Sequence, residues 1–291
     1  KVDEATAEYG DLLDVIRESC GLVEFRDVAD EARRFLVMPR PQAEEPRARR
    51  EPAAARGSPD AARRLFAMSR PIAGTLAERY LAGRGILLTA RERALRFHPS
   101  CYYRDLVTGE TQTLPALIAA ITDLERQITG LQRTYLSSGL DPNGKIGKAQ
   151  VDDPRRSLGH LLGNGIWLGL EPDAPMAVMA AGEGFETMAS LRTVMPALPV
   201  AAATSANHLA GLTLPLGCRR LYIAADADAA GRHGIERLSQ RAGKAGIATL
   251  VLRPQFGDFN DDLRHLGLTR LAAWLGNQLA PEDARRFLPS G

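Results

Sequence analysis

Cysteine is scarce in this sequence and badly placed for chemistry: Cys20, Cys101 and Cys218 lie far apart and make no CxxC pair. That spacing argues against a zinc site and against a disulfide framework, and reads as a protein of a reducing compartment, the cytoplasm. Long apolar runs are missing as well. No stretch approaches the roughly 20 residues of a membrane helix, no signal-peptide pattern is visible, and no membrane partner is expected. Nor is there an excess of one charge. Against 37 Lys and Arg stand 35 Asp and Glu, a net +2, so a nucleic-acid partner has to be argued from local patches. What the chain does have is 291 residues, 45% of them hydrophobic, enough for a sizeable core and a length that suggests two domains. It opens on Lys1 rather than Met, which reads as a fragment or a processed product.

The first 38 residues read as helical. Asp11-Leu-Leu-Asp-Val-Ile and Asp27-Val-Ala-Asp-Glu-Ala-Arg-Arg-Phe-Leu carry apolar residues at helical spacing, with a stop at Cys20-Gly21-Leu22 between them. Two short helices make a thin core and read as the tail of a module. Residues 39–59 are a linker, rich in proline and in alternating Arg and Glu. Its arginines suit either a polyanion contact or a solvated spacer.

Residues 60–172 form the next segment. Helices are expected over Ala61–Met68 and Thr75–Gly83, the second ending on Gly83 as a cap. Extended chain follows around Arg96 and Cys101. A hairpin is then expected from Pro115–Thr122 and Ile128–Leu136. Beyond it a glycine-rich loop runs from Ser137 to Lys148, and a second glycine-rich patch spans Gly159–Gly169. Arg133, Lys145, Lys148, Arg155 and Arg156 give this segment a local positive excess with donors suited to phosphate. A loop kept soluble by its lysines is the plainer alternative. Gly139-Leu-Asp-Pro-Asn-Gly-Lys-Ile matches the GxxxxGK pattern, but Ile146 stands where a P-loop needs Ser or Thr, and Pro142 interrupts it. An ATPase P-loop is excluded.

From residue 173 the pattern alternates β and α. Strands are expected at Met176–Ala181, Val200–Ala203, Leu221–Ala225 and Ile247–Leu252, with helices between them and from Leu263 onward. Apolar runs of this kind suit a parallel sheet. Acids gather after three of the four strands: Glu183 and Glu186, then Asp226 and Asp228, then Asp258, Asp261 and Asp262. Ligands of open α/β sheets sit at the carboxyl ends of the strands. One Asp-x-Asp is weak evidence, since a helix cap plus a solvated acid explains it equally well. Three acid clusters in register are stronger. Crowded carboxylates without His or Cys suit Mg2+ or Mn2+, and such ions serve phosphoryl transfer.

Ala181-Gly-Glu-Gly-Phe-Glu-Thr, Ala225-Asp-Ala-Asp-Ala-Ala-Gly and Asp258-Phe-Asn-Asp-Asp-Leu resemble the three signatures of the Toprim domain, a fold shared by bacterial-type primases, topoisomerases and certain nucleases. The last signature, and the hairpin upstream, are similar to those of primases carried by plasmids, phages and mobile elements. The resemblance implies an α/β fold: a Toprim-like four-stranded parallel sheet flanked by helices over 173–291, preceded by a smaller α+β basic subdomain over 60–172. Residues 1–38 then resemble the closing helices of a zinc-binding-type primase domain whose ligands are absent, so no zinc is expected.

Carried over, Glu183 matches the Toprim glutamate, a general base or metal ligand. Asp226 and Asp228 match the metal pair, while Asp258 and Asp261 match acids that hold a further ion or the incoming triphosphate. Arg133, Lys145, Lys148, Arg155 and Arg156 are the candidate phosphate contacts. For Arg232, on the helix after Asp228, a phosphate contact competes with a solvated helix face. Glu186 reads as a first-turn acid stabilised by the helix dipole. The activity implied is Mg-dependent synthesis of RNA primers from NTPs on single-stranded DNA, in company with a replicative helicase. Two alternatives stand beside it: a Toprim nuclease, and a module that binds nucleic acid without turnover. A topoisomerase would need a positioned tyrosine and strand-gating domains that nothing in this length suggests.

Overall fold

The computed structural model describes residues 2–3, 8–9, 58–88, 92–142, 144–170, 176–225 and 229–289. The helices expected over 11–37 and nearly all of the expected linker lie outside them. Two compact units divide the chain, Lys1–Ala53 and Ala54–Gly291. In the first, the described residues form one antiparallel pair, β1 (Val2–Asp3) with β2 (Glu8–Tyr9).

The second unit opens on α1 (Pro59–Met68), begun by a Ser58 side chain that accepts from the Ala61 N–H and by Pro59 in the first turn. Helix α2 (Leu76–Gly83) follows. Its stop is not the expected Gly83, which remains helical. Ile86 N–H donates to Leu81 C=O at 3.0 Å and Gly85 N–H to Ala82 C=O at 2.9 Å, with Gly85 at φ 74. That is a Schellman turn, and Gly85 supplies its left-handed residue.

Strands β3 (Leu95–Arg104), β4 (Thr111–Thr122), β5 (Ile128–Tyr135) and β6 (Arg155–Gly159) form an antiparallel sheet in that order. The expected hairpin is β4–β5. Strand β6 falls where arginines and glycine read as loop. Its glycine has a packing reason: Gly159 pairs with Gly130, and a Cβ on Gly159 would stand 2.4 Å from the Thr129 carbonyl oxygen.

A five-stranded sheet follows, made of β7 (Ile166–Leu168), β8 (Val178–Gly182), β9 (Val200–Ala202), β10 (Arg220–Ala224) and β11 (Ala248–Leu252). Its order is β11-β10-β8-β9-β7. The four expected parallel strands are there, and β7 adds an antiparallel edge against β9. At three residues, all buried, β7 is too short to show a period and sits in the glycine-rich patch. Helices α3 (Phe185–Val194), α4 (Ala206–Gly211), α5 (Ala229–Lys244), α6 (Phe259–Gly276) and α7 (Pro281–Phe287) complete the unit. Among the described residues no helix is long and apolar enough to cross a membrane.

Two cores sandwich the parallel sheet. On one face Phe185 and Met188 of α3 and Phe259 and Leu263 of α6 pack together, and that core runs on to Leu117, Ala119 and Ile121 of the four-stranded sheet. On the other face Leu209 of α4 and Ile235 and Leu238 of α5 pack against Leu221 and Ile223. The far side of the four-stranded sheet has its own core, where Ala62 of α1 meets Ile118, Leu131 and Tyr135. The order in which successive strands are added reverses in the middle of the parallel sheet. From β8 the chain moves outward to β9, whereas from β10 it moves the opposite way to β11. Their helices leave toward opposite faces, so the topological switch point, where α/β sheets open a ligand crevice, lies between the carboxyl ends of β8 and β10.

Candidate functional site

Glu183 stands directly after β8, partly exposed, at the lip of that crevice. Its carbonyl accepts the Thr204 N–H at 2.9 Å, which ties the loop after β9 to the loop after β8. Thr204 makes this bond at φ 74. A β-branched residue in the left-handed region is strained by about 1–3 kcal/mol, and its hydroxyl lies 3.2 Å from His208 Nδ1. Sequence reading passed over Thr204, because a positive φ on a non-glycine residue leaves no compositional trace. Asp226 and Asp228 lie outside the described residues. The strand leading to them, β10, ends beside β8.

In the first turn of α3 sits Glu186, 5% exposed. The Tyr80 hydroxyl of α2 donates to its Oε1 at 2.7 Å. Lys148 Nζ lies 3.4 Å from the same oxygen, and Arg155 Nη1 lies 3.4 Å from Oε2. Burial pushes the Glu186 carboxyl up, but Lys148, Arg155, the Tyr80 hydroxyl and Arg84 together hold it below the ordinary carboxylate range. Tyr80 is driven upward, first by burial and then by the Glu186 charge. Burial pulls Lys148 down and the carboxylate opposes it. The dipole explanation for a first-turn acid is worth only about 0.3–1 kcal/mol. Burying a carboxylate costs several kcal/mol, so its hydrogen bond and ion pairs decide its place.

Arg84 is held separately. Its Nη1 donates to Asn260 Oδ1 at 2.6 Å, while Asn260 Nδ2 donates to the Arg84 carbonyl and the Ser190 hydroxyl, both at 3.0 Å. Fully buried Asn260 thereby fastens α2 to α3 and α6.

The five candidate cations do not share a surface. Neighbouring residues of a strand point to opposite faces. Arg155 pairs across the sheet with Thr134, on the face packed toward the parallel sheet, whereas Arg156 pairs with Arg133 on the face under α1. Arg156 stacks over the Tyr103 ring at 4.1 Å, donates to the Tyr103 hydroxyl at 2.8 Å and also bonds the Arg104 carbonyl. Arg133 leans on the Tyr135 ring at 5.9 Å. These two arginines serve the outer core. Only Lys148 and Arg155 converge on Glu186, and Lys145 is exposed on the loop before them. Arg232 is exposed on α5 and lines a cleft of about 480 Å3 with Ala225, just after β10, and Ile235, Glu236, Val251 and Arg253.

The last acid cluster divides three ways. Asp258 caps α6, its Oδ1 accepting the Asp261 N–H at 2.8 Å. The helix therefore begins at Phe259, earlier than the expected Leu263, and places Asp261 and Asp262 in its first turn. Asp262 is fully buried and binds the backbone N–H groups of Gln255 and Phe256 at 2.9 and 2.8 Å. Asp261 is partly exposed, 3.5 Å from Arg264. Among the described residues no three His, Cys, Asp or Glu side chains gather to hold a metal ion; two of the five expected ligands lie outside those residues. In kind the described donors fit Mg2+. Glu183, Asp258 and Asp261 are partly exposed oxygen donors in segments that follow the carboxyl ends of β8 and β11.

Residues 178–268 match the Toprim domain, and residues 56–168 match a domain of unknown function, DUF7146. No curated protein matches the chain by sequence. Among solved structures it is similar to the primase of Aquifex aeolicus (zinc-binding and RNA polymerase domains), with 15% identity over 93% of this chain and 71% of that one, at a TM-score of 0.50. It is also similar to a DNA primase domain from Pseudomonas aeruginosa (17% identity, 74% and 77% covered, TM-score 0.48). A third is the E. coli primase catalytic core (16% identity, 77% and 84% covered, TM-score 0.46). At such identities the likeness is one of fold. The chain carries a Toprim domain within a primase-like fold.

Proposed function

We propose that this chain is a primase-type nucleotidyltransferase that builds short RNA primers from NTPs on single-stranded DNA. One observation supports the reading most: the Toprim match over 178–268, within which Glu183 directly follows β8. Lys148 and Arg155 gather on Glu186, three residues further on in the first turn of α3. A crevice that presents oxygen ligands and cations together suits a metal-bound triphosphate.

In the proposed reaction a primer 3′-hydroxyl attacks the α-phosphorus of an NTP. The new P–O bond forms as the bond to the β-phosphate breaks, and pyrophosphate leaves. Glu183 takes the hydroxyl proton or serves as a ligand. Asp226 and Asp228 hold Mg2+ or Mn2+, with Asp258 and Asp261 as further ligands. When bound, the ion neutralises phosphate charge and favours ionisation of the hydroxyl. Lys148, Arg155 and Lys145 bind the triphosphate, and Arg232 is placed for a more distant backbone phosphate. The partners this implies are a single-stranded template and a replicative helicase, in the cytoplasm.

The experiment is incubation with single-stranded DNA, labelled NTPs and Mg2+. RNA oligomers that disappear in Asp226→Ala support the proposal. Degraded DNA in their place favours the nuclease, and salt-sensitive binding with neither product favours a binding module.

A further inference from the structure

We infer that Glu186 is a positioning residue for the triphosphate: its carboxylate spans Lys148 and Arg155 and sets the spacing of the two cations at the crevice. This rests on the primase-type reading above. Each oxygen of the carboxylate takes one cation, Lys148 on Oε1 and Arg155 on Oε2, so the distance between ammonium and guanidinium follows from the width of one carboxylate. Tyr80 anchors that carboxylate from within the core at 2.7 Å.

The charges do not balance. Lys148, Arg155 and Arg84 all act on one acid, and Arg84 is already bound to Asn260. Lys148 and Arg155 have no other side-chain partner among the described residues, and their side chains are 25% and 47% exposed. An ammonium has three donors and a guanidinium five, so both retain N–H groups for a polyanion while Glu186 holds them from beneath. The pair contacts are 3.4 Å, longer than a tight charge-assisted bond of about 2.7–2.9 Å. That leaves the cations free to settle on phosphate without expelling the acid.

The test is a double-mutant cycle read by binding of an Mg–NTP to the full chain, with thermal unfolding to verify folding. Glu186→Gln keeps shape and the Tyr80 contact but removes the charge. We expect Glu186→Gln and Lys148→Ala each to weaken binding about tenfold, and the double variant to lose little more than either, because coupled residues are not additive. In primer synthesis Glu186→Gln raises KM for NTP and leaves kcat within about twofold. Should Glu186→Gln fail to fold, Tyr80→Phe must show the same coupling to Lys148→Ala at smaller size.

Unchanged or tighter binding in Glu186→Gln, or additive losses in the cycle, would overturn the inference while leaving the primase reading intact. A wild-type chain that binds no Mg–NTP would overturn both.

Discussion

The parallel sheet holds a buried acid near each end, and the two are built to opposite accounts. Glu186 lies beyond the carboxyl ends of the strands, Asp283 beside the amino end of β10. Each accepts a tyrosine hydroxyl at 2.7 Å, from Tyr80 and Tyr222 respectively. There the likeness stops. Asp283 meets Arg220 at 2.6 Å, and that one guanidinium also holds Glu282 at 2.7 Å, so acids outnumber cations and the contacts are short. Around Glu186 cations outnumber the acid and the ion pairs are long. Asp283 fastens α7 to β10, with Ala280 N–H completing the joint on the Tyr222 oxygen at 3.0 Å. On the inference above, the excess of cations at the Glu186 end is what would receive an anion.

That contrast can be broken most severely at the crevice. Glu183→Gln should lower nucleotidyl transfer about a thousandfold, several kcal/mol of transition-state stabilisation. Asp283→Ala should do the reverse, costing about 3 kcal/mol of stability, as removal of one partner from a buried pair does. A denaturant titration would show the loss, and the folded fraction should keep its kcat/KM.

Acid sharpens the contrast next. The Glu186 carboxyl is held below its ordinary value of 4.5 in the folded chain, so the unfolded chain binds more protons in that window. The Glu186 contribution is therefore complete above about pH 4.5 and lost as pH falls through the lower folded value. Unfolding midpoints measured from pH 6 down to pH 3 should fall less steeply in Glu186→Gln than in the wild type. The smallest effect separates two adjacent arginines. Arg156→Ala should cost about 1 kcal/mol through its lost ring contact with NTP affinity unchanged, whereas Arg155→Ala, which removes one of the two cations on Glu186, should weaken NTP binding.

Those adjacent arginines also mark where the sequence was readable and where it was not. The β-α alternation and the hairpin β4–β5 were legible because apolar runs bounded by turn residues mark strands. The opposite fates of Arg155 and Arg156 were not, since β6 is short and glycine-bearing and looks like loop until Gly130 and Gly159 are seen face to face. Glu186 was legible as a first-turn acid, but its partners come from residues 80, 148 and 155, and nothing local announces such distant company. Asp262 shows the converse. It read only as a member of the last acid cluster, without the ligand role given to Asp258 and Asp261, and its register on α6 turns it inward to bind the backbone at 255–256.

The central claim is that the edge holding Glu183, with Lys148 and Arg155 gathered on Glu186, makes phosphodiester bonds to new RNA. Primer synthesis by the full chain on single-stranded DNA with labelled NTPs and Mg2+ tests it most directly. The account predicts short RNA products from the wild type, none from Asp226→Ala, and products from Glu186→Gln only at raised NTP. Products undiminished in Asp226→Ala, or no RNA from a folded wild type that still binds DNA, would contradict it.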